Sequence, residues 1–289
     1  MQVSTKESQS LGSSRPAADP LDFERLEALA ERLRDEFRTA RPFPHVVIED
    51  FLPQETAERV RAEFDDTREG WDLYHHYNEN KLAVSSLAPL GPQTRALFDA
   101  LQSRRFVDLV ESLTGIEDLI SDPDLDGAGL HKIEPGGFLN VHTDFLAHGK
   151  NRTWSRQVNL LLYFNRGWQP EWKGDLELWD AEVKRCERSI APLFNRCVLF
   201  HTAEKSYHGH PHRLACPAGE TRKSIALYYF RDEGAARAVS STHYRALPGD
   251  PLLKRWLVAA DRGLLRAYAI AKRYTGLSNQ LVSRILKRF

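Results

Sequence analysis

"RQVNLLLYFNRGWQPEWKGDLELWD", residues 156–180, sets two short apolar runs on either side of a stretch rich in Asn, Gly and Pro. Runs of this length, bounded by turn residues and rich in Val, Leu, Tyr and Phe, read as β-strands. The same texture continues outward. "GLHKIEP" begins at Gly129 and "FLNVH" at Phe138, while "RSIAP", "NRCVLFHT" and "KSIALYYF" follow from Arg188, Asn195 and Lys223. Many short strands divided by turn signals predict a sandwich or a small barrel over residues 121–233.

The flanks read differently. In "DPLDFERLEALAERLRDEFRTA", Phe23, Leu26, Leu29, Ala30, Leu33 and Phe37 recur at helical spacing, with Asp19 or Asp22 as the cap. "PFPHVVIEDFLP" is a short strand fenced by prolines, and "QETAERVRAEFDDT" a second amphipathic helix. "GWDLYHHYNENK" is an aromatic, histidine-rich loop, and one more helical segment spans residues 91–114. The expected organisation is a disordered start (1–20), an N-terminal helix and strand region packed on the core (21–120), the β core (121–233) and a basic helical extension (234–289). No internal repeat is visible.

Composition narrows the function classes. Forty basic residues balance forty acidic ones, which gives no reason to expect nucleic acid as a partner. Cys186, Cys197 and Cys216 show no C-x-x-C spacing and predict reduced thiols in a cytoplasmic protein. No apolar run is long enough to suggest a spanning helix, and the polar opening lacks a signal-peptide core.

Within "GGFLNVHTDFLAHGKN", residues 136–151, His142 and Asp144 stand one residue apart. Alternate residues of a strand point the same way, so both side chains can face one interior. Two histidines and a carboxylate on one face of a mononuclear iron leave the other face open for oxygen and substrate. By itself H-x-D is weak. A third ligand has to come from a distant strand, and "FHTAEKSYHGHPHR" offers His201, His208, His210 and His212. The last three share a face, so periodicity does not choose among them. His201 reads as a packed residue, and His210 and His212 as surface histidines of a polar loop.

The segment from Gly129 to Asp232 resembles the iron(II)- and 2-oxoglutarate-dependent dioxygenases, in their prolyl-hydroxylase-like branch. The resemblance rests on "HTD", "NLLLYFNRGWQPEWKGDLELWD", "NRCVLFHTAEKSYHGHP" and "TRKSIALYYF", in that order. It implies an α+β fold: a double-stranded β-helix (jelly-roll, cupin-like) core with N-terminal and C-terminal helices. It selects His208 as the third ligand, giving His142, Asp144 and His208 as the metal and catalytic set for Fe(2+). The family's R-x-S pattern falls on Arg222 and Ser224 as contacts of the 2-oxoglutarate cosubstrate, and Tyr163 matches a further contact. An arginine fork suits a buried carboxylate through paired hydrogen bonds. Lys223 alternates to the other face of its strand and reads as solvated. The family's pattern is interrupted by a longer insert, "GHPHRLACPAGET", between His208 and Arg222.

The implied reaction is hydroxylation of an unactivated C–H with release of succinate and CO2, with O2 as co-reactant and ascorbate as a reductant. Family substrates include protein prolyl groups, free amino acids and natural-product intermediates. Asp144 stands where halogenating relatives carry a small residue, which implies oxygen insertion or desaturation. A non-catalytic jelly-roll that binds metal or ligand is the rival reading, as is metal-assisted hydrolysis. Tyr74, His75, His76, Tyr77 and Asn78 are candidate substrate contacts in a lid. Trp168 and Trp172 are expected to border the site, Trp179 to pack in the core, and His148 to stay off the metal. In the extension from Pro251 on, Lys254, Arg255, Arg262, Arg266, Lys272, Arg273, Arg284, Lys287 and Arg288 are opposed by Asp261 alone. Its helices dock on the core with a solvated basic face, or they contact an anionic membrane surface or acidic partner.

Overall fold

The computed structural model describes residues 19–236 and 242–260, so the expectations for most of the first 20 residues and for 261–289 fall outside them. Helix α1 (Phe23–Thr39) starts on Asp22, whose carboxylate accepts from the Arg25 N–H at 3.0 Å. This is an ordinary side-chain cap for an otherwise orphaned donor. Strand β1 (His45–Ile48) and helix α2 (Gln54–Asp66) follow. The histidine-rich stretch expected as a loop is a hairpin, β2 (Asp72–His76) and β3 (Glu79–Val84). The helical segment expected over 91–114 is two helices, α3 (Pro92–Gln102) and α4 (Arg104–Thr114). Ser103 divides them. It ends α3 with extended backbone and starts α4 by accepting from the Phe106 N–H, a turn that a continuous helix would not permit.

The remaining strands are β4 (Leu119–Ser121), β5 (Gly129–Ile133), β6 (Phe138–Thr143), β7 (Trp154–Tyr163), β8 (Leu176–Trp179), β9 (Cys186–Ile190), β10 (Cys197–His201), β11 (His208–His210), β12 (Arg222–Asp232) and β13 (His243–Tyr244). They form one curled antiparallel sheet in the order β1-β10-β7-β12-β5-β3-β6-β11-β8-β9, with β2, β4 and β13 paired at its side. This is the expected double-stranded β-helix. The N-terminal half does more than pack on it, because β3 lies between β5 and β6 as a member of the sheet.

Strand β12 shows how the layers divide. Ile225, Leu227 and Tyr229 join the core formed with α1–α4, and the Tyr229 hydroxyl donates to the Leu101 carbonyl at 2.9 Å. Arg222, Ser224 and Tyr228 alternate to the inner side. A second cluster, including Phe43, Leu176, Leu178, Val198 and Phe200, fills one end of the interior. Lys223 does point away from Arg222, but it is not solvated. Helix α2 covers that face, leaving Lys223 8% exposed with Nζ 3.0 Å from Asp65.

Gly129 opens β5 with φ +119°, against the backbone of β3. A Cβ there would run into the Val84 carbonyl oxygen, which backbone pairing prevents from moving away. Gly129→Ala is expected to cost more than about 1 kcal/mol, read as a lower denaturant midpoint.

Candidate active site

His142 is the penultimate residue of β6, and β11 places His208 directly opposite it in antiparallel register. The two imidazoles therefore lie with ring centroids 4.5 Å apart. Asp144, just past the end of β6, brings Oδ1 within 3.5 Å of His142 Nε2 and Oδ2 within 3.5 Å of His208 Nε2. One ligand atom from each of the three residues lies within 4.8 Å of the others.

Both rings are oriented by the same local device. His142 Nδ1 bonds the Asn140 carbonyl and His208 Nδ1 the Ser206 carbonyl, each two residues upstream and each at 2.9 Å. A carbonyl only accepts, so Nδ1 carries the proton and Nε2 presents a bare lone pair to the centre. Burial, the largest effect, lowers the His208 pKa to about 4, so the imidazole is neutral at physiological pH. Burial alone would raise the Asp144 carboxyl, but the Arg156 guanidinium, then His208 and His142, outweigh it and hold it well below the usual carboxylate value. Two imidazoles, each turned to present Nε2, and one ionised carboxylate converge, and this donor set fits a divalent iron.

Asp144 is itself held from behind. Asn159 Nδ2 donates to its Oδ2 at 2.6 Å, while the Asn159 amide oxygen accepts from the Thr202 hydroxyl at 3.1 Å. Arg156 Nη1 lies 3.1 Å from the same Oδ2. Its guanidinium carbon lies 3.9 Å from the Phe145 ring and 3.5 Å from the Tyr228 ring, two cation–π contacts. A weakly hydrated guanidinium suits such buried contacts better than a compact ammonium. On the other side, Tyr244 of β13 pairs with His142 and lies 5.5 Å from its ring.

Arg222 lies in the same interior, 4% exposed. Its Nε donates to the Gly174 carbonyl at 2.7 Å and its Nη2 to the Tyr163 hydroxyl at 3.3 Å. Both partners are neutral. A buried guanidinium so placed is suited to an incoming carboxylate, which supplies the missing charge. Tyr163 is fully buried, so it is a core aromatic and an arginine partner at once. Ser224 pairs with it across β7 and β12 and is buried too. The insert after β11 closes this end: Leu214 exchanges backbone hydrogen bonds with the Gly136–Gly137 turn and packs with Ile133, Trp168 and Cys216. Trp168 and Trp172 meet edge to face at 5.2 Å beside Gly174, and so border the Arg222 end.

Other sequence expectations divide. His212 is exposed, with Nε2 3.3 Å from Glu177. His210 is not a surface residue; it is 4% exposed on the inner side of β11. Trp179 packs with Val141, Val183 and Tyr207. His148 is outside the triad, 3.2 Å from Asp122, and its Nδ1 accepts from the N–H groups of Lys150 and Asn151. His201 is half-buried at the end of β10. In the hairpin, His75 and Tyr77 are exposed, whereas Asn78 is buried and accepts from Asn140 Nδ2 at 3.0 Å. His76 bonds Glu79 at 2.7 Å and lies 5.9 Å from the Tyr244 ring. Glu79 also pairs with Lys81 at 3.0 Å, and Lys81 faces Tyr74.

Sequence reading missed Arg156, Asn159, Thr202, Lys81 and Tyr244. Polar residues at 156 and 159 inside an apolar strand were the available signal. Their spacing of three breaks strand parity, and a register shift of β7 against β12 restores it.

Comparison with known proteins agrees with this arrangement. Residues 128–230 match the family model of the 2OG-Fe(II) oxygenase superfamily. No curated protein matches the chain in sequence. Among solved structures, a Pseudomonas putida prolyl-4-hydroxylase is similar with a TM-score of 0.51 and 22% identity, over 70% of this chain and 99% of that one. A Trichoplax adhaerens prolyl hydroxylase, solved with a hypoxia inducible factor peptide fragment, gives 0.52 and 19%, over 73% of this chain and 92% of that one. Residues 128–230 are therefore a domain of the 2OG-Fe(II) oxygenase superfamily, on the fold that prolyl hydroxylases use, and the chemistry that goes with it is iron(II)- and 2-oxoglutarate-dependent oxidation.

Proposed function

We propose that this chain hydroxylates an unactivated C–H of an amino acid, a peptidyl side chain or a natural-product intermediate, with His142, Asp144 and His208 holding iron(II). The observation that carries the reading is the convergence of two pinned imidazole Nε2 atoms and the Asp144 carboxylate in one interior with the buried Arg222. Iron(II), when bound, supplies the redox chemistry that couples loss of CO2 from 2-oxoglutarate to oxidation of the substrate. The protein's part is placement. Asn159 and Arg156 fix the carboxylate, Nδ1 hydrogen bonds fix the imidazoles, and Arg222 with Tyr163 and Ser224 receives the far end of the cosubstrate. A non-catalytic binding module has no need of both halves, and hydrolysis has no use for the arginine. The peptide fragment in the Trichoplax complex keeps a peptidyl substrate among the candidate classes. Ascorbate as reductant and a cytoplasmic setting belong to the same proposal, the latter supported by three unpaired thiols.

Purified protein with iron(II), ascorbate and 2-oxoglutarate is expected to release succinate. His142→Ala, Asp144→Ala and His208→Ala should each abolish both release and metal binding, and His212→Ala should leave them intact. Full turnover by the His208 variant would remove that residue from the ligand set. Arg222→Ala is expected to weaken 2-oxoglutarate binding about 10- to 100-fold, the loss of a buried charged hydrogen bond, with iron affinity little changed. Lys223→Ala should spare 2-oxoglutarate affinity and act on stability through Asp65. The reverse pattern in titrations would reassign the carboxylate partner.

The basic extension is proposed to contact an anionic membrane surface. Residues 252–260 are helical, and Leu252, Leu253 and Trp256 are 80%, 68% and 66% exposed beside Lys254 and Arg255. Apolar side chains next to basic ones bind such surfaces by burial and charge together. Full-length protein should pellet with phosphatidylserine vesicles at low salt, and protein lacking residues from Gly276 onward should pellet less. No pelleting of the full chain ends the idea.

A further inference from the structure

His210 has no role in the arrangement described above, yet it is placed where a role is available. It lies two residues beyond His208 on β11, opposite Leu139, with its ring on the inner side of the sheet. It is 4% exposed, and neither ring nitrogen has a hydrogen-bond partner among the described residues. Leaving a buried polar group unpaired is costly, and most buried groups of this kind are satisfied. Strand register puts His210 on the same face as Arg222: Arg222 pairs with Ile133, Ile133 lies level with Lys81 of β3, and Glu79 of β3 pairs with Leu139, which His210 faces. A neutral imidazole has one N–H to donate and one lone pair to accept. In that interior Arg222 has, among the described residues, the Gly174 carbonyl and the Tyr163 hydroxyl as hydrogen-bond partners.

We infer that His210 is a cosubstrate-binding residue, donating a ring N–H to the distal carboxylate of 2-oxoglutarate beside Arg222. This rests on the proposed function. The carboxylate takes one charged partner from β12 and one neutral donor from β11, and so bridges two strands that are not neighbours in the sheet. The same hydrogen bond satisfies a nitrogen that the protein leaves bare.

The test is calorimetric binding to nickel(II)-loaded protein, which separates affinity from turnover. Two ligands are compared: 2-oxoglutarate, and 2-oxopentanoate, which keeps the oxo-acid head and has a methyl group in place of the distal carboxylate. His210→Phe keeps a ring and removes the N–H; His210→Leu is the second variant should the first fail to fold. Either is expected to bind 2-oxoglutarate about tenfold more weakly or worse, with 2-oxopentanoate and nickel affinities unchanged. His210→Asn, which retains an N–H, should recover part of the loss. Undiminished 2-oxoglutarate affinity in the Phe or Leu variant overturns the inference while leaving the proposed function intact, as does an equal loss for both ligands. A wild-type protein that binds no 2-oxoglutarate takes down the proposed function and this inference together.

Discussion

The site depends on one backbone pairing, that of β6 with β11, which sets His142 against His208. Antiparallel neighbours put directly opposed side chains about 5 Å apart on one face, so the two imidazoles meet by register alone. A slip of one residue would turn one ring to the other face and dissolve the pair. Both flanks are braced against that slip. Asn140 bonds Asn78 of the hairpin, and β8 pairs with β11 on its far side. The bulge between His208 and His210 then lets β11 depart towards the insert without disturbing its first residue.

The interior is charged, and its charges are sorted. Arg156 faces Asp144, and Lys81 faces Glu79, whose carboxyl burial would raise but which Lys81 and His76 hold strongly ionised. His131, half-buried near Lys81, has its pKa lowered to about 3, by loss of solvent first and Lys81 next, and so adds no positive charge. Arg222 differs from Arg156 and Lys81 in having neutral hydrogen-bond partners. In a low-dielectric interior an unmatched cation is costly, and that cost is the affinity available to an anionic ligand. The arrangement gives the two ends distinct tasks: the Asp144 end is neutralised in advance, and the Arg222 end is left to be neutralised.

Strand periodicity carried much of this in plain view. The alternation in "TRKSIALYYF" correctly separated Arg222 and Ser224 from Lys223, and H-x-D announced two of the three converging side chains. What it could not carry was long-range cover. Lys223 looks solvated because nothing near it in sequence reveals that α2 lies over that face. His210 looks like a loop residue because its neighbours in sequence are polar and the strand it pairs with is distant. The β2–β3 hairpin reads as a loop because His, Tyr, Asn and Glu are poor strand signals, and its pairing is fixed by distant strands. Arg156 and Asn159 were masked by a bulge, a feature that defeats any rule of two.

The position of β3 has a consequence for how much chain constitutes a folding unit. The family match spans residues 128–230, but the strand that joins β5 to β6 comes from residues 79–84. A fragment trimmed to the matched span would present two unpaired strand edges facing a gap one strand wide. Exposed edges of that kind recruit strands from other molecules, so such a fragment is suited to self-association rather than to autonomous folding. The smallest independent oxygenase in this chain therefore begins well upstream of its recognisable motifs.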